Sequence, residues 1–156
     1  MDYDNRAKEL GLELSAPTPP LGAYLKAVQS GNLLFLSGHG PHKNGAIQYR
    51  GKIGKDLTLE EGYAAARLTM LNCISSIRAA LGALNRVRRV VKVLGFVNSA
   101  PGFTDQPKVI NGGSDVLIEL VGDNGRHARS AIGVAELPGT IAVEIEMIVE
   151  IAEIAS

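Results

Sequence analysis

A chain of 156 residues with 46% hydrophobic content fits one domain with a full core. Its 16 Lys and Arg balance its 16 Asp and Glu, which argues against a sequence-independent nucleic-acid binder, because neutralising phosphates needs a cationic excess. With no Trp, four Tyr and three Phe, an aromatic platform for stacking bases is not expected either.

The single cysteine, Cys73, excludes an internal disulfide and a multi-cysteine zinc cluster. It falls inside an apolar helical pattern, the setting of an inert buried thiol. No apolar run approaches the roughly 20 residues of a membrane span. The start, Met1-Asp2-Tyr3-Asp4-Asn5, is acidic and polar, unlike a secretion signal. The expectation is a soluble, cytoplasmic protein.

Residues 4–11 suit a short helix capped by Asp4, with Leu10 on its apolar side and Gly11 ending it. Ser15-Ala16-Pro17-Thr18-Pro19-Pro20 reads as a stiff extended connector. Residues 1–20 are therefore expected to be an extension on the surface of one domain spanning 21–156.

Tyr24–Val28 and Leu33–Leu36 are strand-like and separated by Gln29-Ser30-Gly31-Asn32, a hairpin signal. Ser37-Gly38-His39-Gly40-Pro41-His42 follows as a loop whose glycines let backbone N–H groups approach a ligand. It lacks the Gly-Lys-Ser/Thr ending of a phosphate-binding loop. Residues 46–49 read as a short third strand.

Thr58 opens the main helix, with Glu61 completing a capping box. Leu59, Tyr63, Ala66, Met70, Ile74, Ile77, Leu81 and Leu84 recur at spacings of three or four, one apolar stripe for packing on a sheet. Arg86, Arg88, Arg89 and Lys92 form the only basic cluster, read as a solvated loop before a strand. Val90–Val97 is the β-branched run of a central strand. Gly112-Gly113 interrupts the next helical pattern, so irregular structure is expected to about residue 111, then a helix from Ser114 or shortly before it.

Residues 125–138 and 140–151 read as two strands joined by a tight turn at Leu137-Pro138-Gly139-Thr140. Val143, Ile145, Met147, Val149 and Ile151 alternate with Ala142, Glu144, Glu146, Ile148 and Glu150, the period of a half-buried strand. A hairpin about that turn sets Arg129 opposite Glu144, about 5 Å apart at Cβ. From this spacing alone the pair is a salt bridge or a site.

The order β-β-β-α-β-α-β-β describes an α+β sandwich with helices on one sheet face. Apolar residues on the other face, Val143 or its neighbours among them, predict self-association. His39, His42 and His127 form no closed metal-ligand set. No metal or cofactor is expected, and the three are read as surface or loop histidines, the alternative being that His39 or His127 touches a binding cleft.

Several of these stretches resemble the YjgF/YER057c/UK114 proteins, the Rid reactive-intermediate deaminases. They are Gly22-Ala23-Tyr24, Gly31-Asn32 through Ser37-Gly38, Val91-Lys92 through Phe96-Val97, Asn111, Arg129-Ser130, Val134-Ala135, Leu137-Pro138 and Val143-Glu144-Ile145-Glu146. Each motif is short, but their joint order covers residues 21–151. The resemblance implies a chorismate-mutase-like fold with a ferredoxin-like β-α-β core. It also implies a homotrimer whose sheets face inward as a barrel, with clefts between subunits. The implied reaction is hydrolysis of 2-imino acids to 2-keto acids and ammonia.

By the same resemblance Arg129 matches a clamp for the carboxylate of a small metabolite, the alternative being a structural arginine. Glu144 matches a cleft glutamate that activates water, the alternative being an outward-facing strand residue. Tyr24 matches an aromatic at the cleft entrance, or a plain strand-end tyrosine. Asn111 matches a substrate contact, or a helix cap. The backbones of Gly38 and Ala131 match polar contacts, with Ala131 replacing a common cysteine. Gly133 and Glu136 depart from the family's glutamate and arginine, and the Gly38-His39-Gly40-Pro41 loop departs too. A metabolite-binding trimer without catalysis and a ribonuclease are the competing readings, the second weakened by the balanced charge.

Overall fold

In the computed structural model, which describes residues 1–152, the chain begins with helix α1 (Tyr3–Glu9). Its cap is Asp2, whose side chain accepts from the Asn5 N–H, two residues before the cap the sequence suggests. Tyr3 and Ala7 are buried in the main core. The Tyr3 N–H donates to Asn85 Oδ1 at 2.6 Å, and Asp4 Oδ2 accepts from the Leu84 N–H at 2.8 Å. The first helix is thus anchored in the core, while residues 15–21 lie exposed on the surface.

Strands β1 (Ala27–Ser30) and β2 (Leu33–Leu36) form the expected hairpin, turning at Gly31 with φ of 60°. A second, two-stranded hairpin joins β3 (His42–Lys43) to β4 (Ala46–Ile47). Its turn, Asn44-Gly45, has positive φ at both residues, the geometry that makes Asn-Gly a strong hairpin signal. Helix α2 (Leu59–Leu81) has the full Thr58/Glu61 capping box and ends on Gly82 at φ 79°. Five of the eight stripe residues, Ala66, Met70, Ile74, Ile77 and Leu81, are buried within it.

Strand β5 (Val87–Asn98) starts earlier than expected, so Arg88 and Arg89 are exposed strand residues and not a preceding loop. Helix α3 (Gln106–Val121) runs unbroken through Gly112-Gly113. These glycines are where α3 meets α2. A Cβ on Gly112 would stand 2.1 Å from the Tyr63 carbonyl oxygen, and one on Gly113 would stand 3.1 Å from Ile145 Cδ1. Close packing outweighs the roughly 1 kcal/mol helix penalty of each glycine.

Strands β6 (Ala128–Val134) and β7 (Val143–Ile151) do not pair with one another. The sheet order is β1-β2-β7-β5-β6, with β5 and β6 parallel and the other neighbours antiparallel. This corrects the expected terminal hairpin. A strand leaving α3 must return parallel to β5 as a β-α-β crossover, and β7 fills the slot on β5's other side. Both long helices cover one face, where Val93, Val97, Val143, Ile145, Met147 and Val149 are buried. The open face carries Val28, Phe35 and Ile132, each 42–51% exposed, with Leu94, Phe96 and Ile148 between them. Val143 itself belongs to the helix-covered face.

Candidate functional site

Register fixes where the two candidate catalytic side chains point. Arg129 pairs with Val93, which pairs with Met147, so Arg129 lies on the helix-covered side. Glu144 pairs with Phe96, three residues from Val93, and so lies on the open side. The two are separated by β5 and by the sheet itself, and the expected cross-strand pair does not exist.

Arg129 sits at the edge strand under α3. Its Nη1 donates to Asn111 Oδ1 at 2.9 Å and to Ser114 Oγ at 3.0 Å, and Nη2 donates to the Pro107 carbonyl at 3.4 Å. Pro107, Asn111 and Ser114 follow one another at i, i+4 and i+7 along α3, one face of the helix. All three acceptors are neutral, and among the described residues no carboxylate pairs with Arg129. Of five guanidinium N–H groups, three are used; two remain, as many as a bidentate carboxylate takes. Asn111 therefore caps no helix but holds the arginine from within α3. Ala131, two residues on, packs partly buried against the core.

Glu144 sits in a different setting. Strand β2 pairs with β7 as far as Phe35 and Ile148, and pairing resumes at His39 and Ile145. From 35 to 39 is four steps and from 148 to 145 is three, so β2 carries one extra residue, a bulge. The bulge lays Gly38 against Glu144: a Cβ on Gly38 would stand 2.8 Å from Glu144 Cδ. Glu144 is half-buried, and its carboxyl is pushed above the usual range by burial first and by Glu146 second. No described side chain hydrogen-bonds or ion-pairs with it.

Tyr24, Gly38 and Glu144 line one cleft of roughly 1030 Å³ that runs under residues 15–21. Tyr24 is 43% exposed and precedes β1 in place of starting it; its hydroxyl accepts from the Leu21 N–H at 3.5 Å. Arg129, Asn111 and Ala131 do not line this cleft. One chain thus holds a carboxylate half and a guanidinium half of the expected site, apart from each other.

The histidines differ from the surface reading. His39 is 6% exposed; its Nδ1–H donates to the Ser37 carbonyl at 2.6 Å and its Nε2 accepts from Ser76 Oγ at 2.7 Å. Burial pulls its pKa down to about 4, so the ring is neutral. His127 is half-buried beneath Arg129, with Nε2 at 3.0 Å from Ser114 Oγ. Among the described residues no three His, Cys, Asp or Glu side chains form a metal-binding group. Cys73 is fully buried and burial pushes its thiol pKa upward, which leaves it inert.

The departures at Gly133 and Glu136 have local partners. A Cβ at Gly133 would meet Gln106 Nε2 at 2.7 Å and Ser99 Oγ at 2.8 Å. Glu136 lies 3.5 Å from Lys52 Nζ, which also donates to Asn98 Oδ1 and the Ala135 carbonyl. The acidic side chain is balanced by that lysine.

Ser114 was not among the residues the motifs single out. The i, i+4, i+7 spacing of Pro107, Asn111 and Ser114 was the available signal, hidden by reading Gly112-Gly113 as a break. Comparison with known proteins agrees with the fold. The family model for YjgF/chorismate mutase-like endoribonucleases matches residues 4–150. Protein TCP17 of Trypanosoma cruzi is 46% identical over 145 residues, 92% of this chain and 91% of that protein. A 2-iminobutanoate/2-iminopropanoate deaminase of Dermatophagoides farinae is 33% identical over 134 residues, 85% of this chain and 88% of that one. The crystal structure of Atu1372 from Agrobacterium tumefaciens, a protein of unknown function, superposes with a TM-score of 0.90 at 42% identity, covering 96% of this chain and 92% of that one.

Proposed function

The chain belongs to the YjgF/chorismate mutase-like family, and we propose that it hydrolyses 2-imino acids to 2-keto acids and ammonia in clefts between the subunits of a cytoplasmic homotrimer. The observation that carries this reading is a pair of uncompensated charges. Arg129 is oriented by three neutral acceptors and keeps two N–H groups free. A cation so held is suited to clasp a carboxylate in a bidentate pair. Glu144 is a half-buried carboxylate with no cation beside it, its pKa raised, the state of a general base.

The two charges lie on opposite faces of one sheet, so one small substrate reaches both only if a second copy supplies the missing half. The open face, with Phe35, Val28 and Ile132 exposed, is the apolar surface on which copies would associate. In such a cleft Arg129 holds the substrate carboxylate. Glu144 takes a proton from water as it attacks the carbon of the protonated imine, forming a neutral carbinolamine. Glu144 then gives that proton to the amine nitrogen; the C–N bond breaks as the hydroxyl proton returns to Glu144, releasing ammonia and leaving the keto acid. Tyr24 covers the apolar part of the substrate, and the backbones of Gly38 and Ala131 offer polar contacts.

The test is a coupled assay in which an amino-acid oxidase generates imino acids and semicarbazide traps what remains. The wild-type chain lowers trapped imine; Arg129→Ala and Glu144→Gln do not. Binding of keto acids without any imine hydrolysis would favour the metabolite-binding alternative. Balanced charge and scarce aromatics give no support to a ribonuclease activity.

A further inference from the structure

Below Arg129 lies a short polar relay that the candidate reaction does not itself use. The Gly125 carbonyl accepts 2.6 Å from His127 Nδ1. A carbonyl can only accept, so Nδ1 carries the proton and, in the neutral ring, Nε2 is an acceptor. Ser114 Oγ stands 3.0 Å from that Nε2 and 3.0 Å from Arg129 Nη1. An arginine can only donate, so the serine lone pair faces Arg129 and its proton faces His127. Every donor has one acceptor, and the order runs one way from Arg129 to Gly125.

We propose that Ser114 and His127 are positioning residues that set the orientation of the Arg129 guanidinium for the carboxylate of its substrate. The proposal rests on the reading of Arg129 as the substrate clamp. The geometry favours it over plain packing. His127 precedes β6 by one residue, and Ser114 lies on α3. The relay therefore ties the arginine's strand to the helix that supplies its other two acceptors, Asn111 and Pro107. Ser114 is only 8% exposed and His127 half-buried, so water does not readily replace either partner. Burial lowers the His127 pKa, the hydrogen bond to the Gly125 carbonyl opposes that, and the Arg129 charge lowers it again, for a net shift towards the neutral, accepting ring. Without that acceptor, the serine proton competes for the lone-pair side that Arg129 needs.

The test uses Ser114→Ala, His127→Ala and Ser114→Thr, the last keeping the hydroxyl. Two readouts are taken. The first is NMR of the Arg129 side chain. The wild-type protein and Ser114→Thr show separate, slowly exchanging Nη signals, and the two alanine variants show averaged ones. This readout needs no activity. The second is the kinetics of imine hydrolysis. The alanine variants raise KM about tenfold with kcat changed little, as expected for loss of one hydrogen bond to a charged group. Averaged Nη signals in the wild-type protein would overturn the positioning role. So would unchanged signals in both alanine variants. An ordered Arg129 together with no imine hydrolysis would overturn the functional reading and leave the relay standing.

Discussion

Arg129 and Glu144 project from opposite faces of the same five-stranded sheet, with β5 between their strands. Among the described residues neither is neutralised by a partner. This relationship replaces the cross-strand pair expected from spacing with two side chains on separate faces, and the consequences are measurable.

Gly38 faces Glu144 so closely that an added Cβ would lie 2.8 Å from Cδ and 3.0 Å from Oε2. Gly38→Ala must displace the carboxylate, while the surrounding fold has room on the open side. A displacement of this size at a catalytic group costs on the order of 100-fold in rate. Steady-state kinetics should show a large fall in kcat, with a thermal midpoint close to that of the wild type. Unimpaired turnover would separate Glu144 from the chemistry.

The raised Glu144 pKa sets the acid limb of the rate profile. A general base works when deprotonated, so activity should rise with pH through a value above the ordinary 4.5. Glu144→Gln should abolish the limb with the activity, and Glu146→Gln should move it downward by removing the second cause of the shift. A kcat/KM profile for each protein checks this.

His39 is held neutral, with a folded pKa of about 4 against an ordinary 6.5. Between those values the unfolded chain binds the extra proton and the folded chain does not. The contribution to stability is therefore complete above about pH 6.5 and lost as pH falls towards 4, in total on the order of 3 kcal/mol. Urea unfolding at several pH values should show that loss, and His39→Gln should flatten it. A slope unchanged by the substitution would contradict the assignment to His39.

At Gly112 the neighbour is backbone. Gly112→Ala would put a methyl 2.1 Å from the Tyr63 carbonyl oxygen, and only separation of α2 from α3 relieves that. The expected cost is about 3 kcal/mol or more. Gly82→Ala has open space around it and meets only the strain of φ 79°, about 1 kcal/mol. Melting temperatures of the two variants should differ accordingly.

Much of the fold was legible because it depends on local patterns. The Thr58/Glu61 box, the stripe on α2 and the alternation in β7 each specify an element without help from distant residues. The pairing of β6 was not legible. Residues 125–151 look like a hairpin to any local rule, and only the α3 crossover sends β6 to the far side of β5. The same limit hid the site geometry: motifs named Arg129 and Glu144, but which face each occupies follows from register. Gly112-Gly113 misled in the opposite direction, since a helix breaker by propensity is here a contact point between helices. The Asn44-Gly45 hairpin was readable and was missed.

The central claim is that the half-sites of two copies combine. Arg129→Ala and Glu144→Gln should each be inactive alone in imine hydrolysis. Co-expressed in equal amounts and assembled at random, they should regain about a quarter of wild-type activity, because across a head-to-tail interface an intact Arg129 then meets an intact Glu144 at about one in four of all subunit boundaries. Activity no higher than that of the separate variants, in assemblies shown by native mass spectrometry to contain both chains, would contradict it.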